Sequence, residues 1–391
     1  MDITPYFDPV DFGAIGFTDD YYDPFMLINN VCFFHPEGSI DWTGVKFAVI
    51  GVPESRNAYR NSSCSLAPDE VRSQFYQLYR WEEEVKIVDM GNLILGKTVE
   101  DTYEVLSDII AHLLESNIIP IILGGSNDLA YANYKAYVKL EQIVNIVAVD
   151  SRFDLGSAEE EIRADRYLNR IVMEMPNYLL NYSNVGYQTY LNSSDNIDLM
   201  NQLFFETYRV GIMRKDMEEI EPIVRNAEMM SIDISAVRRS DAPGNPNASA
   251  NGFYGEEICQ VARFAGISDR LSSFGIYEYD PTLDTSFQTA QLISHIIWYF
   301  VEGYTHRQSD NAFKDKNSYT RYSVTVSEAV DDLEFYCSKK TGRWWVVVPV
   351  INIKKNLEHK YFLPCSRKDY EIACKDKISD RWWRAYHKLN R

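Results

Sequence analysis

Apolar runs and segments of helical period alternate along most of this chain. Lys46–Val52 (KFAVIGV), Ile118–Leu123 and Val144–Val149 are apolar at nearly every position, the pattern of strands buried on both faces. Leu179–Gln188, Tyr208–Met213, Glu228–Ser235 and Leu271–Glu278 read as further strands, and Val85–Val88 as a short one. Between them apolar residues recur at helical spacing. One helix follows Ala67-Pro68-Asp69-Glu70 through Val71, Phe75 and Leu78; another follows Thr98, with Asp101 closing a capping box, through Val105, Ile109 and Leu113 to a left-handed end at Asn117. Leu129 opens a third, and Asp216–Arg225, Glu256–Phe264 and Thr289–Val301 (closed by Gly303) read likewise. The run SAEEEIRADRYLNRIVMEM after Gly156 also looks helical. This alternation predicts an α/β fold, a mostly parallel sheet with helices on both faces, over residues 45–304.

The two ends break the pattern. Residues 1–44 are rich in Asp, Tyr and Phe without clean periodicity and predict an irregular arm packed on the core by its aromatics. Residues 305–391 predict an extension with a helix at Ser327–Cys337, a strand at Trp344–Ile353 and a Trp-rich basic end, DRWWRAYHKLN.

Charge sharpens that division. From Ser338 to Arg391 there are 14 Lys+Arg against 5 Asp+Glu, whereas the preceding 337 residues carry 25 against 52. An acidic body argues against nucleic-acid binding by the main domain. The basic end can dock on its own body, on an acidic protein partner or on RNA. No apolar stretch approaches the roughly 18 residues of a membrane span, and MDITPYFDPVDF has no signal-peptide pattern, so a soluble cytoplasmic protein is expected. The six cysteines contain no CxxC pair and read as reduced and structural.

The polar residues that end the strands carry the candidate chemistry. Gly124-Gly125-Ser126-Asn127-Asp128 follows one strand. Asp150, Arg152 and Asp154 follow the next, and residues two apart on extended chain share a side. Asp233 and Ser235 end a third and Glu278 a fourth. The carboxyl edge of a parallel sheet is where ligands bind. Taken singly, each acid also suits a helix cap or a solvated turn. His112 reads as a core or rim residue and His295 as packed.

In order and spacing these motifs resemble the ureohydrolase family of arginase, agmatinase and formimidoylglutamase. The family's GGDHS, DAHxD, SxDxD with an APG loop, and Glu before a Pro turn are matched by GGSND (124–128), DSRFD (150–154), SIDIS (231–235) with Ala242-Pro243-Gly244, and Glu278 in EYDP. GVPESR from Gly51 and VGIMR around Gly211 also fit. The resemblance implies a three-layer α/β/α sandwich, self-association, and a binuclear Mn²⁺ site whose hydroxide attacks a guanidino or formimino carbon. Of the ligand positions it implies, Asp150, Asp154 and Asp233 are kept. Asn127 and Arg152 stand where the family has histidines, and Ser235 where it has an aspartate.

Two divalent ions sharing a hydroxide need several anionic ligands, and Arg152 is cationic at any working pH. The main expectation is therefore a degenerate ureohydrolase without a cofactor, acting as a binding or scaffold protein. In it Arg152 replaces the metals, making paired hydrogen bonds among Asp150, Asp154 and Asp233. Its vestigial pocket, with Glu278, Asn127 and Ser235, would bind a guanidino or amino compound, unless Glu278 pairs with Arg238 or Arg239. The basic extension would contact a protein partner. The alternative is an active hydrolase of linear amidine C–N bonds, of the formimidoylglutamase or agmatinase type, with one Mn²⁺ or Mg²⁺ on the three aspartates. A third reading is metal-free chemistry with Asp150 or Asp128 as general base.

Overall fold

The computed structural model describes residues 2–17, 22–156, 161–310, 316–327, 332–351 and 360–390. The apolar runs pair into a large sheet of strands β1 (Phe7–Asp8), β2 (Cys32–Phe33), β3 (Val45–Val52), β4 (Lys86–Leu93), β5 (Ile119–Gly124), β6 (Val144–Val149), β7 (Leu179–Tyr187), β8 (Glu206–Arg209), β9 (Met229–Asp233) and β10 (Ser273–Tyr277). Their order is β1-β4-β3-β5-β10-β9-β6-β7-β8, with β2 also on β4. Every pairing is parallel except that of β1 with β4. Alternate residues of the central strands enter two separate apolar clusters. Phe47, Ile121, Val147, Ile232 and Phe274 face the helices Ala67–Phe75, Gly255–Ile267 and Gln288–Thr305, while Ala48, Ile122, Ile146, Met229 and Tyr277 face Val99–Glu115 and Leu129–Lys139. This is a three-layer α/β/α sandwich. No described helix is long and apolar enough to cross a membrane.

Several expectations are corrected. The strand expected through Met213 stops at Arg209, and Val210–Lys215 is helical. β8 is an edge strand paired only with β7, so nothing beyond Arg209 holds the chain extended. The run after Gly156 yields only a short turn at Ala164–Arg166 and the helix Leu168–Met173; residues 157–160 lie outside the described residues. The helix Gln288–Thr305 passes through Gly303 instead of ending there. Gly303 and Gly266 let two helices touch, because a Cβ on Gly266 would lie 2.0 Å from the Phe300 carbonyl oxygen. His295 is exposed on that helix, not packed. Part of the N-terminal arm is ordered into β1 and β2 on β4, with Phe12 edge-on to Phe33 at 4.9 Å.

Beyond the large sheet lies a second one, β11 (Tyr319–Val324), β12 (Leu333–Ser338), β13 (Trp344–Pro349) and β14 (Lys360–Cys365), antiparallel and in sequence order. The helix expected at Ser327–Cys337 is thus β12 where it is described. Its LEFYCS pairs on both sides, which outweighs its helical apolar spacing. Helices Arg367–Ala373 and Asp380–Leu389 complete this unit, and Trp382 is buried against it.

The basic extension docks on its own body. Arg225 of the core is buried, stacks 4.4 Å from the Trp345 ring, and donates to the Trp344 and Cys365 carbonyls at 3.1 and 3.3 Å. Arg384 donates to the Phe205 carbonyl at 2.7 Å, and Lys388 to Asn181. Arg343 pairs with Glu221, and Lys368 with Asp216. These contacts cover the amino-terminal ends of β7 and β8, the sheet edge opposite the candidate chemistry.

Candidate functional site

The strand order makes β5, β10, β9 and β6 consecutive neighbours. Their carboxyl ends therefore bring together Asn127, Glu278, Asp233 and the Asp150–Asp154 turn from distant parts of the chain. Gly125 is needed there, because a Cβ on it would lie 1.9 Å from the Glu54 carbonyl oxygen.

Asp150, Asp154 and Asp233 are 1%, 6% and 9% exposed. Each offers a carboxylate oxygen within 4.8 Å of the other two. The turn carrying the first two is held by Asn184, which donates to the Arg152 carbonyl at 2.7 Å, and by Asn192, which accepts from the Phe153 N–H at 2.9 Å. Asp154 (φ 49°) and Glu278 (φ 69°) both sit in the left-handed region. Aspartate tolerates it; a glutamate there costs about 1 kcal/mol or more. Glu278 is held by its N–H on the Gly125 carbonyl at 2.8 Å and by Asn61 and Asn245, whose amides donate to its carbonyl at 3.0 and 2.6 Å.

Asn127 links the strand ends. Its backbone N–H donates to Glu278 Oε1 at 2.9 Å, its side-chain amide to Asp154 Oδ2 at 2.9 Å, and its Oδ1 accepts from Ser231 at 3.4 Å. Asn61 donates to Glu278 Oε2 at 2.8 Å. Ser235 donates its N–H to Asp233 Oδ1 at 2.7 Å.

Arg152 lies beside this set without entering it. Its Nη1 donates to the Leu191 carbonyl at 3.2 Å, and its backbone N–H to Asp150 Oδ1 at 2.8 Å. Among the described residues its guanidinium makes no ion pair, so the paired hydrogen bonds expected with the aspartates are not formed. Neither Arg238 nor Arg239 reaches Glu278: Arg238 pairs with Asp241 at 2.8 Å, and Arg239 donates to the Ala248 and Pro246 carbonyls. Asp128 is buried, accepts from the Tyr103 hydroxyl and does not line the cavity, whose walls are Tyr59, Arg152, Asp154, Ala164, Asp165, Asp233, Ser235, Asn247 and Glu278.

Buried carboxylates without a paired cation resist ionisation. Burial, then the charges of Asp154 and Asp233, push Asp150 well above the carboxylate range. Burial also raises Asp154, with Asp150 its hydrogen-bond partner, and raises Asp233 against the donors of Ser235 and the charge of Arg152. Burial and the charge of Asp233 raise Glu278. A cation among them would reverse this, and three carboxylate oxygens suit one hard divalent ion. Asn127 directs its amide N–H at Asp154, and among the described residues no histidine lines the cavity.

Sequence reading missed Asn61, Tyr59, Tyr103 and Asn245. The first two sit in the polar loop after β3, where the density of Asn, Arg and Tyr in PESRNAYRNSS was the available signal.

The fold and the acids at its carboxyl edge define an α/β/α sandwich protein with a buried acidic centre. The chain belongs to the arginase family, whose defining pattern matches residues 45–302. A formimidoylglutamase from Bacillus subtilis (strain 168) is 24% identical over 284 residues, 66% of this chain and 86% of that one. The crystal structure of formimidoylglutamase from the same bacterium superposes with a TM-score of 0.66 at 19% identity, covering 75% of this chain and 96% of that one. The Trypanosoma cruzi formiminoglutamase crystallised with Mn²⁺ gives 0.65 at 17% identity, covering 72% and 99%.

Proposed function

We propose that this chain is a formimidoylglutamase-like hydrolase of a linear amidine C–N bond, with Asp150, Asp154 and Asp233 as the seat of one divalent ion, Mn²⁺ or Mg²⁺. The observation that carries it is the convergence of these three buried carboxylates, with no ion pair to any of them among the described residues. When bound, such an ion supplies Lewis acidity and a nucleophile from water. Glu278, aimed into the same cavity and fixed by Asn61 and Asn127, accepts an N–H of the cationic amidine and orients its carbon toward the aspartates. Asn127 holds Asp154 in place, and Ser235 holds Asp233. Water adds to the amidine carbon, the C–N bond to the amine breaks, and the proton released by water ends on the departing amine. The cavity measures about 20 Å³, room for about one water. The loops around it, joined by Asn247 to the Tyr59 carbonyl at 3.1 Å and Ala164 to the Asn57 carbonyl at 3.0 Å, must part to admit a substrate.

A second reading, amidine binding without turnover, is favoured by the absence of histidine from the cavity lining among the described residues and by that small volume. Metal content by mass spectrometry after dialysis against Mn²⁺, with a formimidoylglutamate cleavage assay, separates the two. One bound ion per chain with cleavage supports the hydrolase. Less than about a tenth of an ion, against the single site that three carboxylates can furnish, with no cleavage overturns it.

A further inference from the structure

We infer that Arg152 is a specificity-determining residue that reads a carboxylate placed next to the amidine; this rests on the hydrolase reading of the same site. Arg152 lines the cavity with Asp154, Asp233 and Glu278, and among the described residues the guanidinium engages a partner through Nη1 alone, on the Leu191 carbonyl. A planar guanidinium with free donors matches a carboxylate in a paired, charge-assisted geometry. Beside it the Tyr59 ring of the cavity wall lies under Arg60 at 5.0 Å and Arg163 at 4.6 Å, the latter paired with Asp165.

The cavity thus sets one cation close beside a group of acids. Because Arg152 lines the same small cavity as Asp154 and Asp233, and its charge acts on Asp233, the anionic end of a ligand must lie near its reacting carbon. An N-formimidoyl α-amino acid meets that requirement, since its α-carboxylate hangs on the carbon bonded to the amidine nitrogen. Arginine carries its carboxylate at the far end of a methylene chain, and agmatine has none. Arg152 therefore favours the first class and excludes the other two, whose hydrocarbon would face the guanidinium.

The test uses the full chain loaded with Mn²⁺, as wild type, Arg152→Gln and Arg152→Lys. Titration calorimetry and cleavage rates are measured with N-formimidoylglutamate, N-formimidoylglycine and agmatine. N-formimidoylglycine keeps the α-carboxylate and lacks the side-chain one. Thermal melts check that each variant is folded. The expected result is that Arg152→Gln weakens both formimidoyl ligands roughly 10- to 100-fold, Arg152→Lys recovers part of the loss, and agmatine is unaffected or improved. Unchanged affinity for both formimidoyl ligands in a folded Arg152→Gln overturns the assignment while cleavage by the variant leaves the hydrolase reading standing. Binding without cleavage, lost in Arg152→Gln, upholds the assignment and removes the hydrolase reading. No binding by the wild type overturns both.

Discussion

Asn127 donates its backbone N–H to the Glu278 carboxylate at 2.9 Å, tying the loop after β5 to the end of β10. Asn61 completes that hold, donating to Glu278 Oε2 at 2.8 Å and to its carbonyl at 3.0 Å. These donors surround a residue whose backbone is left-handed, at φ 69°. Asn61→Ala, which strips donors from a buried carboxylate, is expected to lower unfolding free energy by about 1–3 kcal/mol, read from the denaturant midpoint. An unchanged midpoint would show that Glu278 is held by the other contacts alone.

Asp150 is the acid most opposed by its neighbours. Asp150→Asn removes one charge from a buried group of like charges while keeping shape. In chelator at pH 8 it should raise the melting temperature by a few degrees, the scale of about 1 kcal/mol in a chain of this size. The same variant should lose Mn²⁺ binding. Stability and ligand binding pull in opposite directions at such a position.

The pH dependence follows from the sign of the shifts. Asp150, Asp154, Asp233 and Glu278 are raised by burial and like charge, and burial pushes Asp128 up to about 6. The folded chain then holds protons that the unfolded chain, with carboxyls near 4, has released. Their stabilising contribution is complete below about pH 4 and is lost as pH rises through the folded values, toward neutrality. In chelator, the gap between wild type and Asp150→Asn should therefore open between pH 4 and 8. Mn²⁺ added at pH 8 should raise the wild-type melting temperature and leave the variant unmoved. A gap independent of pH would mean that Asp150 does not titrate in this window.

Arg225 anchors the C-terminal unit. Its guanidinium is buried, paired with Glu221 at 2.8 Å and stacked on Trp345. Arg225→Ala leaves two carbonyls without their donor and is expected to destabilise the chain by about 3 kcal/mol, seen as a lower denaturant midpoint. It should also expose residues 319–390 to proteolysis before the core. Simultaneous digestion of both would mean that they unfold as one unit.

Much of this was legible in the chain itself, for a physical reason. Strands buried on both faces read as continuous apolar runs, so β3, β5 and β6 could be placed within a residue or so, and strand-ending acids such as Asp150, Asp233 and Glu278 with them. The Thr98–Asp101 capping box forms, with Asp101 N–H on Thr98 at 3.1 Å, and Asn117 adopts φ 56°. Edge elements were less legible. LEFYCS satisfies both helical and alternating patterns, and only pairing with β11 and β13 decides. Side-chain direction was not legible at all. Whether Arg152 turned toward the aspartates or toward Leu191 depends on the packing of residues 187–192, far from it in sequence.

The position of β10 has a consequence for how the acidic centre is assembled. It is the last strand of the large sheet to be synthesised, yet it lies between β5 and β9 in the middle. Pairing Phe274 with Ile121 closes a loop of more than 150 residues, an arrangement that slows folding. Until β10 inserts, β5 and β9 are separate ribbons and Glu278 is absent from between them. The acids after β6 and on β9 can meet before then, because those two strands pair directly; what a half-folded chain lacks is Glu278, and Asn127 set beside them. The final strand thus brings the fourth carboxylate and its Asn127 clasp, so the three aspartates are assembled before the wall that faces them.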